Sequence, residues 1–117
     1  MISSVNSTIS ALRANKTMLG VTANNIANAN TDEFKKSRAT LKEGANGDVA
    51  VDINRVNTPG HRYQELEGDQ LVEKESSNVN LEEEVPKMMV TQRTYEANLK
   101  VLQTQDNMSG TLLDILG

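Results

Sequence analysis

His61, Arg62 and Glu65 are the residues of this 117-residue chain whose types and spacing suit acid/base chemistry. An imidazole and a carboxylate can relay a proton once a fold holds both within hydrogen-bond reach of a reacting group. They follow Thr58, Pro59 and Gly60, however, which read as a turn, and a lone turn histidine is ordinarily solvated. Glu82, Glu83 and Glu84 are three adjacent carboxylates, a donor type that suits hard cations. Their place just after Asn80 is explained more simply by capping and by the helix dipole. Cysteine is absent and His61 is the only histidine, which excludes disulfides, thiolate nucleophiles, cysteine zinc sites and histidine pairs. The chain reads as a non-enzyme with no cofactor and no metal.

The stretch that organises the elements is Asn24, Asn25, Ile26, Ala27, Asn28, Ala29, Asn30 and Thr31. Asparagine is a poor helix former whose amide competes for nearby backbone groups. Where a helix ends, the same amide satisfies orphan carbonyls and tolerates a left-handed backbone. A side-chain-bonded corner is expected here, with Phe34, the only phenylalanine, pinning it onto the helix.

Two helices lead into and away from the middle of the chain. In the first, Ile2, Val5, Ile9, Leu12, Leu19, Ala23 and Ile26 alternate by threes and fours with Lys16 in the missing place, the pattern of a coiled-coil seam. Ser3 or Ser4 is its candidate cap, and Ala11, Ala14, Met18 and Val21 make a second stripe. The last helix starts at Asn80, with Glu83 in capping-box position. Pro86 predicts either a bend or a later start near Val85. Beyond it Val85, Met88, Tyr95, Leu99, Leu102, Leu113 and Leu116 form one stripe, and Met89, Ala97, Val101, Met108, Leu112 and Ile115 a second. Both helices are about 40 Å long at 1.5 Å per residue, so they are expected to pair antiparallel, with Leu99 and Leu102 facing Ile9 and Leu12.

Between them, Glu43, Gly44, Ala45, Asn46, Gly47 and Asp48 read as a loop, Val49, Val51 and Ile53 as one strand, and 62–66 with 70–74 as a hairpin closed by Glu67, Gly68 and Asp69. The predicted fold is mainly α with a small β patch: two long terminal helices pairing as an antiparallel coiled coil, with a short β-hairpin region between. One domain is expected, divided as 1–42, 43–76 and 77–117. One partner helix covers only one of two apolar faces, so the second is expected to meet another copy or another protein.

Net charge is −4. Residues up to Lys42 hold six basic against two acidic groups and the rest six against fourteen, which suggests attraction between the two ends or between copies. Aromatics are too few, at 3%, to interleave with the basic groups for nucleic-acid binding. No apolar run approaches a membrane span, and no cleaved secretory signal is expected at the start.

These residues carry a resemblance. Thr22 to Thr31 followed by Phe34 and Lys35 is similar to the N-terminal signature of the bacterial flagellar axial proteins, the rod, hook and hook-associated proteins. Ser77, Asn78, Val79, Asn80, Leu81, Glu82, Glu83, Glu84 and Val85 with Met88 and Met89, then Gln92, Arg93, Thr94, Tyr95, Glu96, Ala97 and Asn98, resemble the matching C-terminal motif. Phe34 to Ala39 and the Thr58-Pro59-Gly60 turn look like the distal rod type, on a length that looks like a short proximal rod protein. Glu33 stands where the motif usually has glycine, and Pro86 falls in a helix the family leaves unbroken. The resemblance implies a structural rod subunit, exported unfolded through the flagellar type III apparatus. It then assembles into a helical tube across the periplasm beside other copies and neighbouring rod and hook proteins. The implied assembly residues are Asn24, Asn25, Ile26, Asn28, Asn30, Thr31, Phe34, Asn78, Val79, Asn80, Gln92, Arg93, Tyr95, Asn98, Leu99 and Leu102. The competing reading from another class is a cytoplasmic helical adaptor or flagellar export partner.

Overall fold

A computed structural model describes residues 2–117. Helix α1 (Ile2–Ala27) and helix α2 (Leu81–Leu116) flank two antiparallel hairpins, β1 (Ser37–Glu43) with β2 (Val49–Arg55), and β3 (Arg62–Glu67) with β4 (Gln70–Glu75). The end of α1 meets the start of α2, where Asn25 bonds Glu84, and the helices run back along each other. The β1–β2 hairpin lies on α1, where the Val49 N–H donates to Ser10 Oγ at 3.1 Å. The molecule measures 82 × 24 × 19 Å with a radius of gyration of 20.9 Å, against about 13 Å for a compact chain of this length. Accordingly, Ala14 is the only buried hydrophobic residue among those described.

The sequence reading holds for β2, for the β3–β4 hairpin, and for Asn80, which caps α2 by accepting from Glu82 N–H at 3.2 Å. It fails on four details. Strand β1 was not anticipated: it pairs with β2 from Ser37↔Arg55 to Glu43↔Val49, and only Ala39 and Leu41 mark it as a strand. Ser3 and Ser4 lie inside α1, so neither caps it from outside. The Glu83 carboxylate turns to Lys36 Nζ at 3.3 Å instead of closing a capping box. Helix α2 starts at Leu81 and runs on through Pro86, so the later start near Val85 is not taken.

The packing seam also differs from the apolar stripe. On α2 the covered residues from 84 to 109 are Glu84, Met88, Thr91, Tyr95, Asn98, Leu102, Gln105 and Ser109, a four-three alternation in which every seventh residue is polar. On α1 the buried Thr8, Asn15 and Thr22 repeat by seven too. Several of these polar groups bond their own helix, Thr8 Oγ1 to Ser4 O at 2.9 Å, Asn15 Nδ2 to Ala11 O at 2.9 Å and Asn98 Nδ2 to Thr94 O at 3.0 Å. The Asn25–Glu84 contact sets the rotation: with residue 84 turned inward, Leu99 points outward and is 41% exposed, while Leu102 stays in the seam. Ile2, Val85, Leu113 and Leu116 are exposed as well.

Glu33 holds a left-handed backbone, φ 62°. That region costs a residue with a Cβ about 1–2 kcal/mol, and glycine avoids it while giving back about 0.5–1 kcal/mol of unfolded-chain freedom. Glu33→Gly is therefore expected to stabilise the fold by about 0.5–1 kcal/mol. Equilibrium denaturation reads this as a raised midpoint at unchanged slope, and a lowered midpoint would contradict the strain.

Candidate functional site

The turn that follows α1 is held by short-range bonds. Asn28 Nδ2 donates to Asn24 O at 2.9 Å and Oδ1 at 3.3 Å, and Asn28 Oδ1 accepts from Thr31 Oγ1 at 3.1 Å. The backbone N–H of Asn28 reaches Asn24 O and Asn25 O. Asn24, Asn30 and Thr31 are exposed, and Ile26 and Phe34 are half-buried.

The long-range geometry centres on two asparagines, one from each end of the chain. Asn25 is 1% exposed. Its Nδ2 donates to Ser37 O at 2.7 Å and to Glu84 Oε2 at 3.3 Å, and its Oδ1 accepts from Ser37 N–H at 3.0 Å. Both backbone groups of Ser37 are thus met by one amide, as a neighbouring strand would meet them. Asn78 grips the adjoining residue: its Oδ1 accepts from Lys36 N–H at 2.7 Å, and its Nδ2 donates to Val56 O at 2.8 Å and Thr58 O at 2.9 Å. Asn78 N–H also donates to Phe34 O at 3.3 Å. The strand entrance at Lys36 and Ser37 is therefore clamped from both sides, and the first turn of α2 closes over it.

A second layer of contacts ties in the β3–β4 hairpin. Lys35 Nζ pairs with Glu75, which also accepts from Gly60 N–H at 2.8 Å. Glu33 N–H donates to Glu75 O at 2.9 Å, and Tyr63 Oη lies 2.8 Å from both carboxylate oxygens of Asp32. Lys35 first, and the Gly60 N–H second, hold the Glu75 carboxyl below its ordinary range. A depressed carboxylate stabilises the fold above its unfolded pKa and loses that contribution as pH falls through the lower, folded value. Stability is expected to drop on acidification below about pH 4.3, and less steeply in Lys35→Met. Denaturation of both proteins across that range, with NMR titration of Glu75, checks the sign.

The acid/base candidates do not form a site. Glu65 is paired with Lys74 at 2.7 Å and Arg62 with Glu73 at 3.8 Å. His61 is exposed, its backbone N–H donating to Ser76 Oγ and its carbonyl accepting from Ser76 N–H. Glu84 is buried against Asn25, whereas Glu82 and Glu83 are exposed, and no metal-holding cluster occurs among the described residues. Of the remaining motif residues, Tyr95, Asn98 and Leu102 line the seam. Val79 is half-buried behind the cap, while Gln92 and Arg93 are exposed, each reaching Glu96. Sequence reasoning missed the clamp on Ser37 and the part of Asn78 in it. The only signal was an asparagine in each motif, with nothing to say that they meet.

The arrangement defines a class: an elongated helical hairpin whose ends are stitched at one junction, with apolar residues such as Met89, Val101, Met108 and Leu112 left open along α2. No helix among the described residues is long and apolar enough to cross a membrane. Two family models match the ends that the junction joins, "Flagella basal body rod protein" over residues 6–35 and "Flagellar basal body rod FlgEFG protein C-terminal" over residues 74–115. Over 36 residues the chain is 56% identical to the "Flagellar basal-body rod protein FlgG" of Borreliella burgdorferi, a match covering 31% of this chain and 14% of that relative's length. The two ends of the chain are therefore those of the flagellar basal body rod protein family, and the matched stretch spans about one seventh of that relative's length.

Proposed function

We propose that the protein is a non-enzymatic subunit that builds the rod by packing its two helices against other copies and against neighbouring rod and hook proteins. The observation that carries this reading is the uncovered apolar surface of α2. Val85, Met89, Val90, Leu99, Val101, Met108, Leu112 and Leu113 are all exposed in the single chain. A helix hairpin with a half-polar seam and an apolar exterior places its strongest drive toward burial outside itself. Passage through the flagellar export apparatus as an unfolded chain belongs to the same reading, as do roles in assembly for the two asparagine motifs.

The test uses residues that are exposed in the lone chain. Met108→Asp is expected to leave the stability of the purified protein within about 0.5 kcal/mol, as surface changes do, yet to remove it from isolated basal bodies and abolish swimming. Gln103→Asp should leave both unchanged. Retention of the Met108→Asp protein in basal bodies with normal motility would refute packing through this face. Recovery of the unaltered chain only in the cytoplasm would favour an adaptor instead.

A further inference from the structure

Helix α1 contains no acidic residue, and Arg13 and Lys16 have no ion-pair partner among the described residues. Arg13 stands at the rim of an open cleft of about 580 Å³ between α1 and the β1–β2 hairpin, bordered by Ser10, Ala14, Thr17, Val49 and Val51. Ala14, Val49 and Val51 supply the apolar part of a mixed lining. Asp48 also borders it but makes no ion pair with Arg13.

The β3–β4 hairpin has the complementary chemistry at its tip. Leu66 and Leu71 sit directly across from each other, and each is 66% exposed. Around them Glu65, Glu67 and Asp69 stand against Lys74, which pairs with both glutamates and leaves Asp69 without a cation partner among the described residues. A two-stranded ribbon is marginal in water by itself, so an apolar pair on its tip calls for cover.

The tip does not lie near the cleft of its own chain. Helix α2, at 36 residues, is about 54 Å long, whereas the molecule extends 82 Å. The β1–β2 hairpin lies on α1, so the extra length falls to the corner and the β3–β4 hairpin, which carries its tip beyond the helices. The cleft lies roughly 15–25 Å back along α1 from the corner.

We propose that the β3–β4 tip of one copy seats in the α1/β1–β2 cleft of a second copy, Leu66 and Leu71 against Ala14, Val49 and Val51 and Asp69 toward Arg13. This contact rests on the rod-subunit reading and deepens it, because tip and cleft are different surfaces. Joining them is head-to-tail, and a head-to-tail contact that does not close into a ring propagates as a helical array.

The chain has no cysteine, so introduced ones report the contact cleanly. Thr17→Cys marks the cleft and Gln70→Cys the tip, both at exposed positions. Basal bodies from cells making both variants, oxidised mildly, are expected to yield a disulfide-linked dimer that is missing when either variant is made alone. If both variants are present in the basal bodies without that dimer, or if Gln70→Cys links to a different protein, the contact is refuted while the rod reading stands. Absence of the unaltered chain from basal bodies refutes both. In a second arm, Arg13→Glu and Asp69→Lys should each reduce swimming-ring diameter by half or more, and the double exchange should restore most of it. A double variant no better than the worse single one would also overturn the pairing.

Discussion

Asn25→Ala is expected to lower the unfolding free energy by about 2–4 kcal/mol, because it strips partners from the N–H and C=O of Ser37 and from the buried Glu84 carboxylate together. That is a large share of the roughly 5–15 kcal/mol a domain has in total. The isosteric Asn25→Asp is a sharper probe. It keeps the acceptor for Ser37 N–H but faces Glu84 with a second carboxylate where the amide had donated, and one of the two must then titrate above its ordinary range. A raised folded pKa stabilises below the unfolded value and is lost as pH rises, so this variant should be relatively most stable in mild acid and weakest at neutral pH. Adding Glu84→Gln returns an amide to the pair and should recover part of the loss. Denaturation curves for the four proteins at two pH values decide it. Equal losses for Asn25→Asp at both pH values, with no recovery in the double variant, would show that the Glu84 contact carries nothing.

Gly60→Ala is expected to cost about 3 kcal/mol or to displace the turn, since overpacking of this severity lies at the top of the usual range. A Cβ on Gly60 would sit 2.0 Å from Ser76 O and 2.9 Å from Ser76 C, and both are backbone atoms with no free rotation to yield. Moving 59–61 away from 76–77 breaks the paired His61 and Ser76 bonds and draws Thr58 off Asn78. Gly20→Ala is the matching control: nothing lies within 4 Å of its Cβ, so helix propensity alone acts and stability should rise by about 0.5–1 kcal/mol. Should Gly60→Ala melt like the unaltered protein, the close approach of the two segments would be wrong.

Local signals made much of this legible beforehand. Asn80 announced its helix because capping is a near-neighbour effect, and the 62–75 hairpin showed because Glu67, Gly68 and Asp69, with Gly68 at a φ of 66°, form a turn flanked by Tyr63 and Leu66 on one side and Leu71 and Val72 on the other. Strand β1 did not show, because Ser37, Arg38, Thr40, Lys42 and Glu43 follow no strong alternation and the strand is defined by what grips it, Asn25 at its start and β2 along its length. The seam was misread for a related reason. Apolar periodicity normally marks the face a helix turns to its own chain, but here polar residues share that face with Met88, Tyr95 and Leu102, and many of the apolar ones are left outside. Asn28 and Asn30 drew equal weight with Asn25 in the sequence. The first ties only its own turn and the second is exposed, a distinction that rests on Ser37 and Glu84 arriving from elsewhere.

The clamp also puts a clock on the fold. Its bonds join residues 42 and 59 positions apart, from Lys36 to Asn78 and from Asn25 to Glu84. A ribosome adding about 5–20 residues per second needs roughly 3–12 s to proceed from the first half of the Asn25 contact to the second. Until then α1 has no seam to enter, and a helix without tertiary contacts is marginal in water. Contacts this distant in sequence also close slowly once both halves exist. The nascent chain therefore stays open for seconds, long enough for whatever captures it during synthesis to meet an extended strand and not a finished hairpin.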